Sequence, residues 1–174
     1  MAIVRATTKE YRRASSVSKF LTQHDVDFRQ WDIDPVEKIV RGKTALSDSE
    51  KSEVLSTYSR EIEALKRQNH YVTADVVVLS PQTPNLENLL AMFRKEHYHS
   101  EDEVRFIIDG SGVFTIRGKD ERLFDVEVSP GDMIVVPART WHWFDLKPDR
   151  TIKAVRLFQT TAGWTPIYRD AKPN

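Results

Sequence analysis

From Glu103 to Phe158 the chain is cut into short runs of β-branched and aromatic residues by turn-forming residues. EVRFIID is followed by Gly110-Ser111-Gly112, then by VFTIRG and LFDVEV. Pro130-Gly131-Asp132 precedes MIVVP, and HWFDL and TIKAVRLF close the series. A further β-branched run, TADVVVLS at 73–80, ends at Pro81. Runs this short and this closely spaced leave no room for the helical crossovers that parallel strands require. They predict an antiparallel sandwich or barrel.

The flanking sequence has a different period. Thr7 and Glu10 have capping-box spacing, and Tyr11, Ala14, Val17, Phe20 and Leu21 follow at near-helical intervals, which predicts a helix over 8–23. Ser47 and Glu50 repeat the pattern before Val54, Tyr58, Ile62 and Leu65, one face of a longer helix. Thr83-Pro84 is expected to open a third, with Leu86, Leu89, Leu90 and Phe93 on its apolar stripe. With 174 residues the chain is long enough to bury a real core. The expected organisation is a single domain over 1–174: a helical part at 1–72 packing on a barrel core at 73–160, then an irregular, partly mobile tail at 161–174.

Inside the strand-rich region lies a set of side chains suited to a metal. His97-Tyr98-His99 is followed after three residues by Glu103, and His142 comes much later; three of the chain's five histidines fall in this one pattern. Three imidazoles and a carboxylate are borderline-hard ligands for a divalent first-row transition ion. Side chains alternate faces along a strand, so His97, His99, Glu103 and Arg105 share a face if the segment stays extended. Gly110 is expected to return the chain as a hairpin, and Pro130-Gly131-Asp132 to open another, bringing His142 in from a different strand. An octahedral ion held by these four keeps two positions open for substrate. Glu96 and Asp102 are either acceptors for the second nitrogens of the ligand histidines or solvated charges, and Trp141 and Trp143 should face away from His142. His24 and His70 lie outside the pattern.

Composition removes other classes. With 26 basic and 26 acidic side chains the net charge is zero and no Lys/Arg block occurs, so neither nucleic acid nor an anionic membrane is an expected partner. The absence of cysteine excludes thiolate ligands, disulfides and cysteine nucleophiles. No signal-peptide core and no run of roughly 18–20 apolar residues is present, so the expectation is a cytoplasmic protein. Nothing in the chain demands a dimer, and a monomer is expected.

His97-Tyr98-His99-x3-Glu103-x6-Gly110 resembles the first cupin motif, and Gly131-x5-Pro137-x4-His142 the second. Ala91, Arg139 and Leu146 stand where cupins generally carry Gly, Gly and Asn, which argues against a generic germin-like or sugar-isomerase cupin. LLAMFRKEHYHSEDEVRFIIDGSG, then PARTWHWFD, AVRLF and GW, is similar to the acireductone dioxygenase family, densely over residues 84–164. That resemblance implies a mainly β fold: a cupin-type antiparallel barrel (double-stranded β-helix, jelly roll) with accessory N-terminal helices. It also implies an enzyme of methionine salvage that cleaves 1,2-dihydroxy-3-keto-5-methylthiopentene with O₂.

The family's site carries over by position. Its metal ligands match His97, His99, Glu103 and His142, with one Fe(II) or Ni(II) per chain. Its active-site arginines match Arg105 and Arg156, and its substrate-pocket aromatics match Phe93 and Trp164. Fe(II) implies formate and 4-methylthio-2-oxobutanoate as products; Ni(II) implies formate, CO and 3-(methylthio)propanoate. Read without the family, each of the four non-ligands has a second explanation: a strand salt bridge for either arginine, helix packing for Phe93, surface packing for Trp164. The ligand set alone also permits another metal-dependent cupin dioxygenase or decarboxylase on a small enol or acid, or a non-catalytic ligand-binding cupin.

Overall fold

A computed structural model describes residues 1–160 and 164–169 of the chain. It opens with strands β1 (Ile3–Ala6) and β2 (Lys9–Tyr11), helix α1 (Ala14–Gln23), strand β3 (Asp27–Gln30), and helices α2 (Asp34–Val40), α3 (Asp48–Thr57) and α4 (Ser59–Asn69). Strand β4 (Thr73–Leu79), helix α5 (Leu86–Phe93) and the short β5 (His97–Tyr98) follow. The strand-rich region forms β6 (Glu103–Gly110), β7 (Gly112–Arg117), β8 (Leu123–Val128), β9 (Asp132–Val136), β10 (His142–Leu146) and β11 (Ile152–Phe158), and β12 (Ile167–Tyr168) lies near the end. All pairings are antiparallel, in a seven-stranded sheet β12-β5-β10-β7-β8-β1-β2 and a five-stranded sheet β3-β9-β6-β11-β4.

The expected hairpins at Gly110 and Gly131 do not form. β6 pairs with β9 and β11, whereas β7 pairs with β8 and β10. Each turn therefore carries the chain from one sheet to the other, which is the jelly-roll connection. The crossing at Gly110-Ser111-Gly112 explains its composition. Gly110 has φ +72°, and a Cβ there would sit 2.0 Å from the Thr151 carbonyl oxygen; a Cβ on Gly112 would sit 2.2 Å from the Phe144 ring.

The N-terminal region departs from expectation in three places. Thr7 and Glu10 belong to a β-hairpin with Ala6 opposite Lys9, Thr7 at φ 42° in its turn, and α1 starts only at Ala14. Pairing of β1 with β8 wins over the local capping signal. The capping box at Ser47 and Glu50 does form, but the expected long helix is two, meeting at Tyr58, whose hydroxyl donates to the Asp32 carbonyl at 2.7 Å. Pro84 precedes α5 rather than sitting in its first turn, because Asn85 adopts a left-handed conformation (φ 56°). Of the tail at 161–174, residues 164–169 lie along β5 through β12; the remainder is outside the described residues.

Two apolar clusters share the five-stranded sheet. Ile107, Ile134, Ala154 and Ile152 face the barrel interior with Phe114, Ile116, Val126 and Phe144 from the other sheet. Val104, Phe106, Met133, Val135, Val155 and Leu157 face outward onto Val36, Val54, Ile62 and Leu65 of the helices. Helices α2, α3 and α4 thus cover the outer face of the five-stranded sheet, whose central strands are buried on both faces, whereas α1 and α5 pack into the interior cluster. No helix among the described residues is long and apolar enough to cross a membrane. Gly110→Ala is expected to cost about 2–4 kcal/mol, combining the left-handed backbone with the overlap onto Thr151; urea unfolding measures it.

Candidate metal centre

His142 opens β10 and stands directly opposite His97 of β5, so two ligands come from register partners in one sheet. His99 follows just after β5. Glu103 is the first residue of β6, in the other sheet. The expectation that one extended strand presents His97, His99 and Glu103 is therefore corrected: the chain changes sheets at residues 100–102. Convergence comes from barrel closure. The short connection is held at several points. Glu101 accepts from the Gln159 and Thr160 amides at 2.6 and 3.0 Å, and Asp102 accepts from the Ala138 amide at 2.9 Å and the Tyr71 hydroxyl at 3.0 Å.

The four ligand atoms lie within 4.8 Å of one another, and all four residues are buried. Each imidazole uses Nδ1 against a backbone carbonyl: His97 to Lys95 at 2.6 Å, His99 to Thr165 at 3.3 Å and His142 to Thr140 at 2.8 Å. A carbonyl oxygen only accepts, so Nδ1 carries the proton, and in the neutral ring Nε2 presents a lone pair. The Nε2 atoms of His142 and His99 lie 2.8 and 3.2 Å from the same oxygen of Glu103. Lone pairs converging on a carboxylate repel unless a cation lies among them, and this donor set fits a divalent metal. Glu96 and Asp102 are not the acceptors. Glu96 pairs with Arg117 at 2.7 Å and Arg169 at 3.1 Å, so the acceptor role is filled by main-chain carbonyls, which no sequence pattern reveals.

Burial pushes the His97 imidazole down to about 4, against the partial support of the Lys95 carbonyl. Burial opposes ionisation of Glu103 too, but the adjoining Arg105 charge outweighs it and holds the carboxyl well below its usual range. His97 is thus a neutral imidazole beside an ionised carboxylate, the protonation state a metal needs.

Beside the ligands lies a cavity of about 200 Å³. All four other residues singled out in the sequence reach it. Arg105, 8% exposed, donates through Nε to Glu103 at 2.6 Å, and its guanidinium lies 5.1 Å from the Trp164 ring and 5.5 Å from that of Phe144. Arg156 on β11 is the register partner of Arg105, with its guanidinium 5.1 Å from Phe158 and 5.6 Å from Trp164. Phe93 ends α5 on the cavity wall while also packing on the interior core. The Trp164 indole donates to the Asp102 carbonyl at 3.0 Å, and its ring lies 5.9 Å from His99. Phe144 was missed, although it lies two residues past His142 on the same strand and the parity that selects Arg105 selects it too. Val77 and Leu79 of β4 and Tyr168 of β12 were also missed, because only tertiary pairing brings those strands to the site. Trp143 lies on the other face of β10, half-buried, and Trp141 packs against Tyr98.

Two antiparallel sheets closed around three histidines and a glutamate define a metal-binding cupin. The model of the ARD/ARD' family matches residues 3–166. An acireductone dioxygenase of Bacillus cytotoxicus is 47% identical over 152 residues, 87% of this chain and 89% of that protein; one of Bacillus licheniformis is 44% identical over 158 residues, 91% and 88%. The solved structure of acireductone dioxygenase from Bacillus anthracis with a cadmium ion in its active centre superposes with a TM-score of 0.92 at 43% identity, covering 97% of this chain and 98% of that one. The chain belongs to the acireductone dioxygenase family.

Acid should weaken the metal-free fold. Between about pH 6.5 and 4 the unfolded chain protonates His97 while the folded chain does not, and near pH 4.5 the unfolded Glu103 takes up a proton that the folded one refuses. Both contributions make stability rise with pH. The urea midpoint of the metal-free protein should therefore be higher at pH 7 than at pH 5, and His97→Asn should flatten the difference.

Proposed function

We propose that the site, loaded with one divalent metal per chain, catalyses the cleavage of acireductone by O₂ in methionine salvage. The observation that carries this reading is the convergence of three bare Nε2 atoms and Glu103 at one end of a cavity whose wall holds a second charge, Arg105. His97, His99, Glu103 and His142 would hold the ion. Bound there, Fe(II) or Ni(II) supplies a Lewis acid and template for an enediolate and O₂.

The chain's own residues bind and orient. Glu103 occupies the Nε of Arg105, which leaves the two Nη groups to meet an anionic oxygen in the cavity. Arg156 adds a second guanidinium on the neighbouring strand. Val77, Leu79 and Phe93 form an apolar side that suits a methylthio tail. The Trp164 ring lies over both guanidiniums, shielding them from water and strengthening their pull on the substrate. In this reading the chain works as a single-domain cytoplasmic monomer, with O₂ and a small molecule as its partners.

The test is metal-free protein reconstituted separately with Fe(II) and Ni(II) and given acireductone and O₂. The expected products are formate and 4-methylthio-2-oxobutanoate with iron, and formate, CO and 3-(methylthio)propanoate with nickel. Identical products from both would overturn control by the metal, and no turnover with either would overturn the enzyme reading. His142→Ala should lose stoichiometric metal and at least about 100-fold in activity, since a catalytic ion lacking one protein ligand is neither retained nor oriented; elemental analysis alongside the assay checks both.

A further inference from the structure

Arg105, Arg156 and Asp75 form a row across three adjacent strands. Arg156 of β11 stands opposite Arg105 of β6 on one side and opposite Asp75 of β4 on the other. The row shares the sheet face of the cavity, since Glu103 and Arg105 alternate with outward Val104, and Asp75, Val77 and Leu79 alternate with outward Val76. Like charges directly opposite on neighbouring strands repel. Each guanidinium has a carboxylate of its own: Glu103 for Arg105, and Asp75 for Arg156, bound at both ends with Nε to Oδ1 at 2.8 Å and Nη2 to Oδ2 at 2.5 Å.

The two carboxylates differ in setting. Glu103 is buried and sits among the ligand atoms, whereas the Asp75 side chain is 47% exposed. An ion pair so open to water stabilises a fold little. Its two-pronged geometry nevertheless fixes the direction of a long, flexible side chain. Arg156 is gripped on one side by the Phe158 and Trp164 rings and on the other by Asp75. Released from Asp75 and repelled by Arg105, its guanidinium would swing toward solvent, away from the cavity.

We propose that Asp75 is a positioning residue, which holds the Arg156 guanidinium at the cavity wall against the charge of Arg105 and so sets the affinity for the anionic end of the substrate. This rests on the reading of the cavity as the acireductone site. Asp75→Asn keeps the shape and removes the charge. In the iron-loaded enzyme it should raise KM for acireductone about tenfold with kcat within twofold, because the lost contact serves ground and transition states alike. Asp75→Glu should recover most of the loss, and Asp75→Asn should change nothing further in an Arg156→Gln background. Metal content and Tm should match the parent.

An independent readout needs no turnover. In the metal-free protein the Arg156 Nε–H resonance, assigned by its absence from Arg156→Gln, should be sharp and slowly exchanging, and should broaden or vanish in Asp75→Asn. If Asp75→Asn leaves KM unchanged or lowers it while Arg156→Gln raises it, the positioning role is overturned and the substrate reading stands. If Arg156→Gln itself has parental kinetics, Arg156 does not meet the substrate and the positioning role falls with it, while the acireductone reading stands. If Asp75→Asn impairs the Arg156→Gln background equally, or lowers Tm in step with activity, its role is structural and the proposal fails.

Discussion

The ionised carboxylate of Glu103, buried at the point where the two sheets meet, is the constraint to which the rest of the site answers. A charge in that setting is costly unless compensated. The compensation comes from Arg105 on the same strand, while the other carboxylate oxygen faces the Nε2 atoms of His142 and His99. Because the imidazoles spend their Nδ1 protons on main-chain carbonyls, they bring lone pairs to that oxygen and not protons. The same carboxylate thus fixes the first arginine of the cavity and defines the place for a cation.

The barrel supplies what a single strand does not. His97 and His142 meet as cross-strand partners, and Glu103 reaches them from the facing sheet. Accuracy there depends on how the sheet change at 100–102 is tied down, by Glu101 to the end of β11 and by Asp102 to Tyr71 and Ala138. The five-stranded sheet is packed on both faces, so the strand carrying Glu103 and Arg105 has little freedom to shift. The cavity wall is built on that rigid layer, with the aromatic residues closing over it.

Much of this was legible in the sequence, and the boundary has a physical cause. The six strands from Glu103 to Phe158 were visible because turn residues punctuate β-branched runs, and the ligands were visible because histidine is rare and its spacing informative. Topology was not visible: Gly110 and Gly131 look alike whether they close a hairpin or pass the chain to another sheet, and only the pairing of β6 with β9 and β11 decides. For the same reason parity placed Glu103 with the histidines for a mistaken cause. The β1–β2 hairpin was hidden behind a helical capping pattern, since its partner β8 lies more than a hundred residues away. Asp75, Val77 and Leu79 carry no local mark of function; their strand reaches the cavity only by pairing with β11.

Ligands drawn from both sheets have a mechanical consequence. An ion held at once by His97 and His142 from one layer and Glu103 from the other is a rivet through the lip of the barrel, in a chain that has no disulfide to do that work. Whatever it gains in binding energy is also resistance to the two layers parting. The supply of that metal then bears on how long the folded molecule lasts, and its scarcity would be felt first as a loosening of that lip.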